Sequence, residues 1–155
     1  MTDSHMMEIL ATAIVREEAA HKFYTDLIPM VQDAQAREML AFIAEEERRH
    51  KAFLEDYRDG KYGDAPMRMA DVTYYKVAEY LEEPDMRTDM PPQDIFLLAA
   101  HREQRSHDFY TAMAALQQEG TVRDLLLRIA NEELRHKEKV EYLFGNVAFG
   151  QTSGG

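Results

Sequence analysis

The chain has 155 residues and a mass of 18.0 kDa, with 45% hydrophobic and 30% charged residues, the proportions of one globular domain. A net charge of −11 disfavours nucleic acid and anionic membrane as partners, and no apolar run approaches the length of a membrane span. The absence of cysteine removes disulfides, thiolate catalysis, Cys-ligated zinc and iron–sulfur clusters, and without a basic-then-apolar leader the expected location is cytoplasmic.

Residues 1–5 read as a disordered N-terminus. From Met6 to Met30, Leu10, Ala13, Glu17, Ala20, Tyr24 and Leu27 fall on one helical stripe, and Pro29 should kink or finish that helix. Asp33 is a candidate N-cap for a second helix ending near Tyr57, at Asp59-Gly60. Its stripe steps by 3 and 4 through Leu40, Ile43, Glu47, His50, Leu54 and Tyr57, so two polar residues interrupt an apolar seam.

Residues 58–92 are punctuated by glycine and proline, with one helical patch around Asp71 to Leu81. A crossover of that length can run the length of a bundle, which frees the third helix from antiparallel pairing with the second. Pro92 opens the third helix, whose stripe is Phe96, Ala99, Glu103, Ser106, Tyr110 and Met113, running to about Gln118. Gly120 closes it, and Thr121 with Asp124 resembles a capping box for the fourth. That helix carries Leu126, Ile129, Glu133, His136, Val140 and Leu143; Gly145 should stop it, leaving a flexible tail over 146–155.

The two halves superpose without a gap. Glu103 lies 86 positions after Glu17, as Glu133 lies after Glu47 and His136 after His50, and 15 of the 35 residues in Glu17–Lys51 recur in Glu103–Lys137. We expect an all-α four-helix bundle (residues 6–145) from two repeated hairpins, 6–57 and 93–145, joined by a long crossover with a short helix. The repeat also filters candidates: Glu45 becomes Asn131, whereas Glu46 recurs as Glu132 but lies about 100° off the seam and drops out.

Four Glu and two His on inner faces form a metal-ligand set. One Glu from each of two helices and one Glu-x-x-His from each of the others is the plan of carboxylate-bridged di-iron and di-manganese bundles. Glu17, Glu47, His50, Glu103, Glu133 and His136 are the candidate ligands, and two divalent ions would balance the four carboxylates. Oxygen with imidazole nitrogen suits two iron ions, with manganese or zinc as alternatives. His21 and His107, at i+4 from Glu17 and Glu103, are either additional ligands or proton donors, or sit half-exposed at the seam's edge. Tyr24 and Tyr110 are either plain core aromatics or donors to the ligand carboxylates of the opposite hairpin, with an indirect catalytic role.

Glu17…Phe23-Tyr24, Glu46-Glu47-Arg48-Arg49-His50, Glu103…Phe109-Tyr110 and Glu132-Glu133-Leu134-Arg135-His136 resemble the rubrerythrin-like branch of the ferritin-like superfamily, over about residues 6–144. The resemblance implies a di-iron centre bridged by Glu47 and Glu133, with Glu17/His50 and Glu103/His136 as terminal ligands. The sequence departs from the family twice. It lacks the cysteines of a rubredoxin-like domain, and Ser106 or His107 stands where full-length rubrerythrins offer a second Glu on the third helix. The reading ranked first is a di-iron oxidoreductase that reduces hydrogen peroxide or dioxygen with an external electron donor, as a homodimer. Second is a ferritin-like ferroxidase handling iron as cargo, and third a non-enzymatic metal-stabilised bundle.

Overall fold

A computed structural model describes residues 4–61, 78, 81–85 and 90–148. Four long helices carry the chain: α1 (Ser4–Leu27), α2 (Ala34–Arg58), α3 (Pro92–Ala115) and α4 (Thr121–Ala148). Their limits follow local chemistry. Pro29 has no amide hydrogen to continue α1, and the chain tightens there into a 3-10 turn, Ile28–Met30. Asp33 caps α2, its Oδ2 accepting the Ala36 amide at 2.8 Å. Gly60, at φ +80°, follows α2 in the left-handed conformation that only glycine adopts without steric cost.

The structure moves four expected boundaries, the third helix ending at Ala115 instead of Gln118. α1 already includes Ser4 and His5, and Met6 packs against the core, so the disordered start does not extend that far. α4 runs through Gly145 to Ala148; interior glycine costs a helix about 1 kcal/mol, and the buried Leu143 and Phe144 beside it hold the last turns on the core. The Asp124 amide bonds the Gly120 carbonyl at 3.0 Å, so Gly120 rather than Thr121 holds the capping place. The expected crossover helix around 71–81 falls mostly outside the described residues, within which Ala78 is helical and buried.

α1 packs on α2 and α3 on α4 as two hairpins. The core divides into two apolar clusters. One joins the C-terminal end of α1 (Tyr24, Leu27) and of α4 (Val140, Leu143, Phe144) to the N-terminal end of α2 (Leu40, Ile43) and of α3 (Ile95, Phe96). The other joins the opposite ends, among them Leu10, Leu54, Ala114 and Leu126. α2 and α3 therefore start at the same end and run parallel, the arrangement a long crossover permits. The layer of buried glutamates and His136 lies between the two clusters. Apart from Ser106, Met113 and His50, every seam residue named from the sequence is buried.

The described part of the crossover is pinned to the bundle at Ala78, Leu81 and Glu83. Glu141, 2% exposed, accepts the Ala78 amide at 2.8 Å and pairs with the equally buried Lys137 at 3.1 Å. Arg105 pairs with Glu83, and the His101 ring bonds the Leu81 carbonyl at 2.7 Å.

Candidate metal centre

Glu17, Glu47, Glu103 and Glu133 are each 1% exposed and His136 is fully buried, at the middle of the four seams. Their atoms gather in two groups: Glu17, Glu47, His50 and Glu133, and Glu47, Glu103, Glu133 and His136, with the ligating atoms of each group within 4.8 Å of one another. Glu47 and Glu133 belong to both. His50 Nδ1 lies 3.5 Å from Glu17, 3.8 Å from Glu47 and 3.6 Å from Glu133. His136 Nδ1 lies 2.7 Å from Glu47 and 3.6 Å from Glu103, and the two imidazoles stack at 5.6 Å.

A donor set so buried calls for cations. Glu17 Oε2, Glu47 Oε1, Glu103 Oε2, Glu133 Oε1 and the Nδ1 atoms of both imidazoles are buried without a hydrogen-bond partner. Orphaned polar atoms in a core each cost about 1–3 kcal/mol, and six converging on one point fit the inner shell of two metal ions. In the metal-free protein protons stand in for the missing charge. Burial, then the charges of Glu133 and Glu17, push Glu47 well above the usual carboxylate range. Burial and the neighbouring Glu103 charge raise Glu133 to about 7. Burial works against the cationic form of both imidazoles, yet the surrounding carboxylates, Glu133 and Glu17 at His50 and Glu47 and Glu103 at His136, raise both well above the ordinary histidine range.

The tyrosines reach across the bundle. The Tyr24 hydroxyl, from the first hairpin, donates to Glu103 Oε1 of the second. The Tyr110 hydroxyl, from the second, lies 3.0 Å from Glu17 Oε1 and 3.3 Å from the Ala13 carbonyl of the first. Burial, then the carboxylate each one serves, pushes both phenols well above the usual tyrosine range, so they remain protonated donors. His21 and His107 are not brought into either group. Their Nδ1 atoms bond the main-chain carbonyls of Ala44 at 2.8 Å and Ala130 at 3.0 Å, each on the other helix of the same hairpin. At i+4 they turn toward the neighbouring helix instead of the bundle axis.

Three pairs escaped the sequence reading although the repeat carried all of them. Arg16 lies over the Phe109 ring at 3.9 Å and Arg102 over Phe23 at 4.5 Å, a reciprocal lock between hairpins beside the first ligand of each. The third pair is Glu46 and Glu132, set aside for lying off the seam. Both line a pocket of about 320 Å³ between α2 and α4, with His50, Phe53, Arg49, Arg128 and Arg135. Glu46 also accepts from Lys139 at 3.2 Å. Half-burial by itself would raise its pKa, but the His136 and Lys139 cations outweigh it and hold the carboxyl down to about 2.

Two helical hairpins closing on a buried core of four carboxylates and two imidazoles define a ferritin-like bundle whose centre suits two metal ions. The rubrerythrin family model matches residues 8–143, and the chain belongs to that family. Among solved structures, a hypothetical protein from Pyrococcus furiosus shares the fold, with a TM-score of 0.64 and 21% identity, covering 92% of this chain and 89% of that one. No curated protein matches the chain. No helix among the described residues is long and apolar enough to cross a membrane.

Proposed function

We propose that the protein is a di-iron oxidoreductase that reduces hydrogen peroxide or dioxygen with electrons from an external donor. The observation that carries this reading is the sharing of Glu47 and Glu133 between two ligand groups, each completed by one terminal Glu and one imidazole Nδ1. Family membership supports it. When bound, two ferrous ions supply the two electrons that turn hydrogen peroxide and two protons into two waters, and the donor then returns those electrons.

The chain's own part is to hold and shield this centre. Glu17 with His50 would serve one metal and Glu103 with His136 the other, between the two shared carboxylates. Tyr110 and Tyr24 fix the rotamers of Glu17 and Glu103 through their hydroxyls, which orients each terminal carboxylate from the opposite hairpin. Apolar clusters on both sides keep water from the axis. The pocket beside His50, 15% exposed at its side chain, is open enough for a diatomic or peroxide molecule.

The test is anaerobic reconstitution with ferrous iron, elemental analysis, then addition of peroxide or of oxygen. The expected result is two irons per chain and peroxide or oxygen consumed faster than by the same concentration of free ferrous iron. Less than one metal per chain, or no acceleration with either oxidant, would refute the reading.

A further inference from the structure

The duplicated centre is not symmetric around its two imidazoles. Glu46 reaches from α2 to α4, where its Oε2 stands 3.6 Å from Nε2 of His136 and its Oε1 accepts from Lys139 at 3.2 Å. His136 Nδ1 faces the other way, toward Glu47 and Glu103. Both nitrogens of this fully buried ring lack a hydrogen-bond partner. A buried imidazole that ligates through one nitrogen must give the N–H of the other to an acceptor, and that acceptor fixes tautomer and ring angle. Glu46 is the carboxylate at that second nitrogen, and closing a few tenths of an ångström makes the bond.

On the other side the equivalents diverge. Glu46 and Glu132 both keep a carboxylate oxygen within 4.8 Å of a His50 ring nitrogen, but neither comes as near as Glu46 does to His136, and Glu132, the repeat of Glu46, pairs with Arg135 of its own helix at 3.7 Å. The position equivalent to Lys139 is Phe53, which lines the pocket with His50.

We propose that Glu46 is the positioning residue of His136: anchored by Lys139, it accepts the Nε2–H and aims Nδ1 at the shared carboxylates, whereas His50 gives its second N–H to water in the α2/α4 pocket. This rests on the reading of the centre as a two-metal site. It makes the two metal positions unequal, with the His136 side held more tightly although the sequence repeats.

Cobalt(II) titration of the metal-free protein, followed by visible absorption and by proton NMR of the loaded form, tests it. The wild type is expected to bind two cobalt ions and to show one slowly and one rapidly exchanging imidazole N–H among the paramagnetically shifted signals. Glu46→Ala should weaken one cobalt site by about 10- to 100-fold and lose the slow signal. Glu46→Gln, whose amide oxygen still accepts, should keep most of both, and Glu132→Ala should leave both unchanged. Lys139→Met, which frees the carboxylate without deleting it, should give a smaller loss in the same direction and carries the test if Glu46→Ala does not fold. Wild-type titration and a retained slow signal in folded Glu46→Ala, or no loss in Lys139→Met where that variant carries the test, overturn the proposal. An equal loss in Glu132→Ala also overturns it. A wild type that binds no cobalt overturns the two-metal reading beneath it.

Discussion

Glu133→Gln separates what the centre costs the fold from what it does with metal. Burial and the Glu103 charge raise Glu133 from 4.5 to about 7. A carboxyl with a raised folded pKa holds its proton more tightly in the fold, so its contribution is present below pH 4.5 and lost as pH rises through about 7. At about 1.4 kcal/mol per unit, full ionisation destabilises the metal-free protein by on the order of 3 kcal/mol. Glutamine mimics the protonated carboxyl and cannot ionise. Metal-free Glu133→Gln should therefore match the wild type near pH 4 and melt higher at pH 8, by roughly 6 to 12 °C for a chain of 155 residues. Thermal melts followed by circular dichroism in chelator, at both pH values, read this directly. With metal the order should reverse, because only the wild type gains binding energy. A difference that does not change with pH, or a variant less stable than the wild type at pH 8 without metal, would refute the electrostatic account.

Glu47 belongs to both ligand groups and Glu17 to one, so elemental analysis should find Glu47→Ala without bound metal and Glu17→Ala with one ion; a Glu47→Ala chain holding two would break the shared-ligand assignment. Tyr110→Phe strips Glu17 Oε1 of its 3.0 Å donor inside the core and should lower metal-free stability by about 1–3 kcal/mol in denaturant melts, with an unchanged midpoint as the contrary result. Lys137→Met leaves Glu141 buried without its cation and should cost about 3–5 kcal/mol in urea. Adding Glu141→Leu should recover only part, since the Ala78 amide then loses its 2.8 Å acceptor; full recovery would mean that this bond contributes nothing.

Helical period and the 86-residue repeat were enough to place Glu17, Glu47, Glu103, Glu133, His50 and His136 on inward faces, because a seam is a property of one helix and recurs every 3 or 4 residues. The same logic reached the two-hairpin bundle; a crossover of about 35 residues left the direction of the third helix open, and the two core clusters decided that α2 and α3 run parallel. Which residues meet between helices depends on rotation and axial register, and a single-helix pattern does not encode those. The sequence left Tyr24 and Tyr110 open between core aromatics and donors across the bundle, and docking the hairpins selected the second, with Tyr24 on Glu103 and Tyr110 on Glu17. His21 and His107 turned to main-chain carbonyls for the same reason. Glu46 shows the limit most clearly: 100° off its own seam it faces solvent on an isolated helix, but α4 lies on that side and brings His136 and Lys139 to it. Likewise Lys51 is half-buried and pairs with Glu18, whereas its repeat, Lys137, is buried against Glu141 where the crossover descends on α4. The sequence by itself determined the candidate ligands; packing decided which neighbours hold them, because an acceptor's partner is chosen by distance in space and not along the chain.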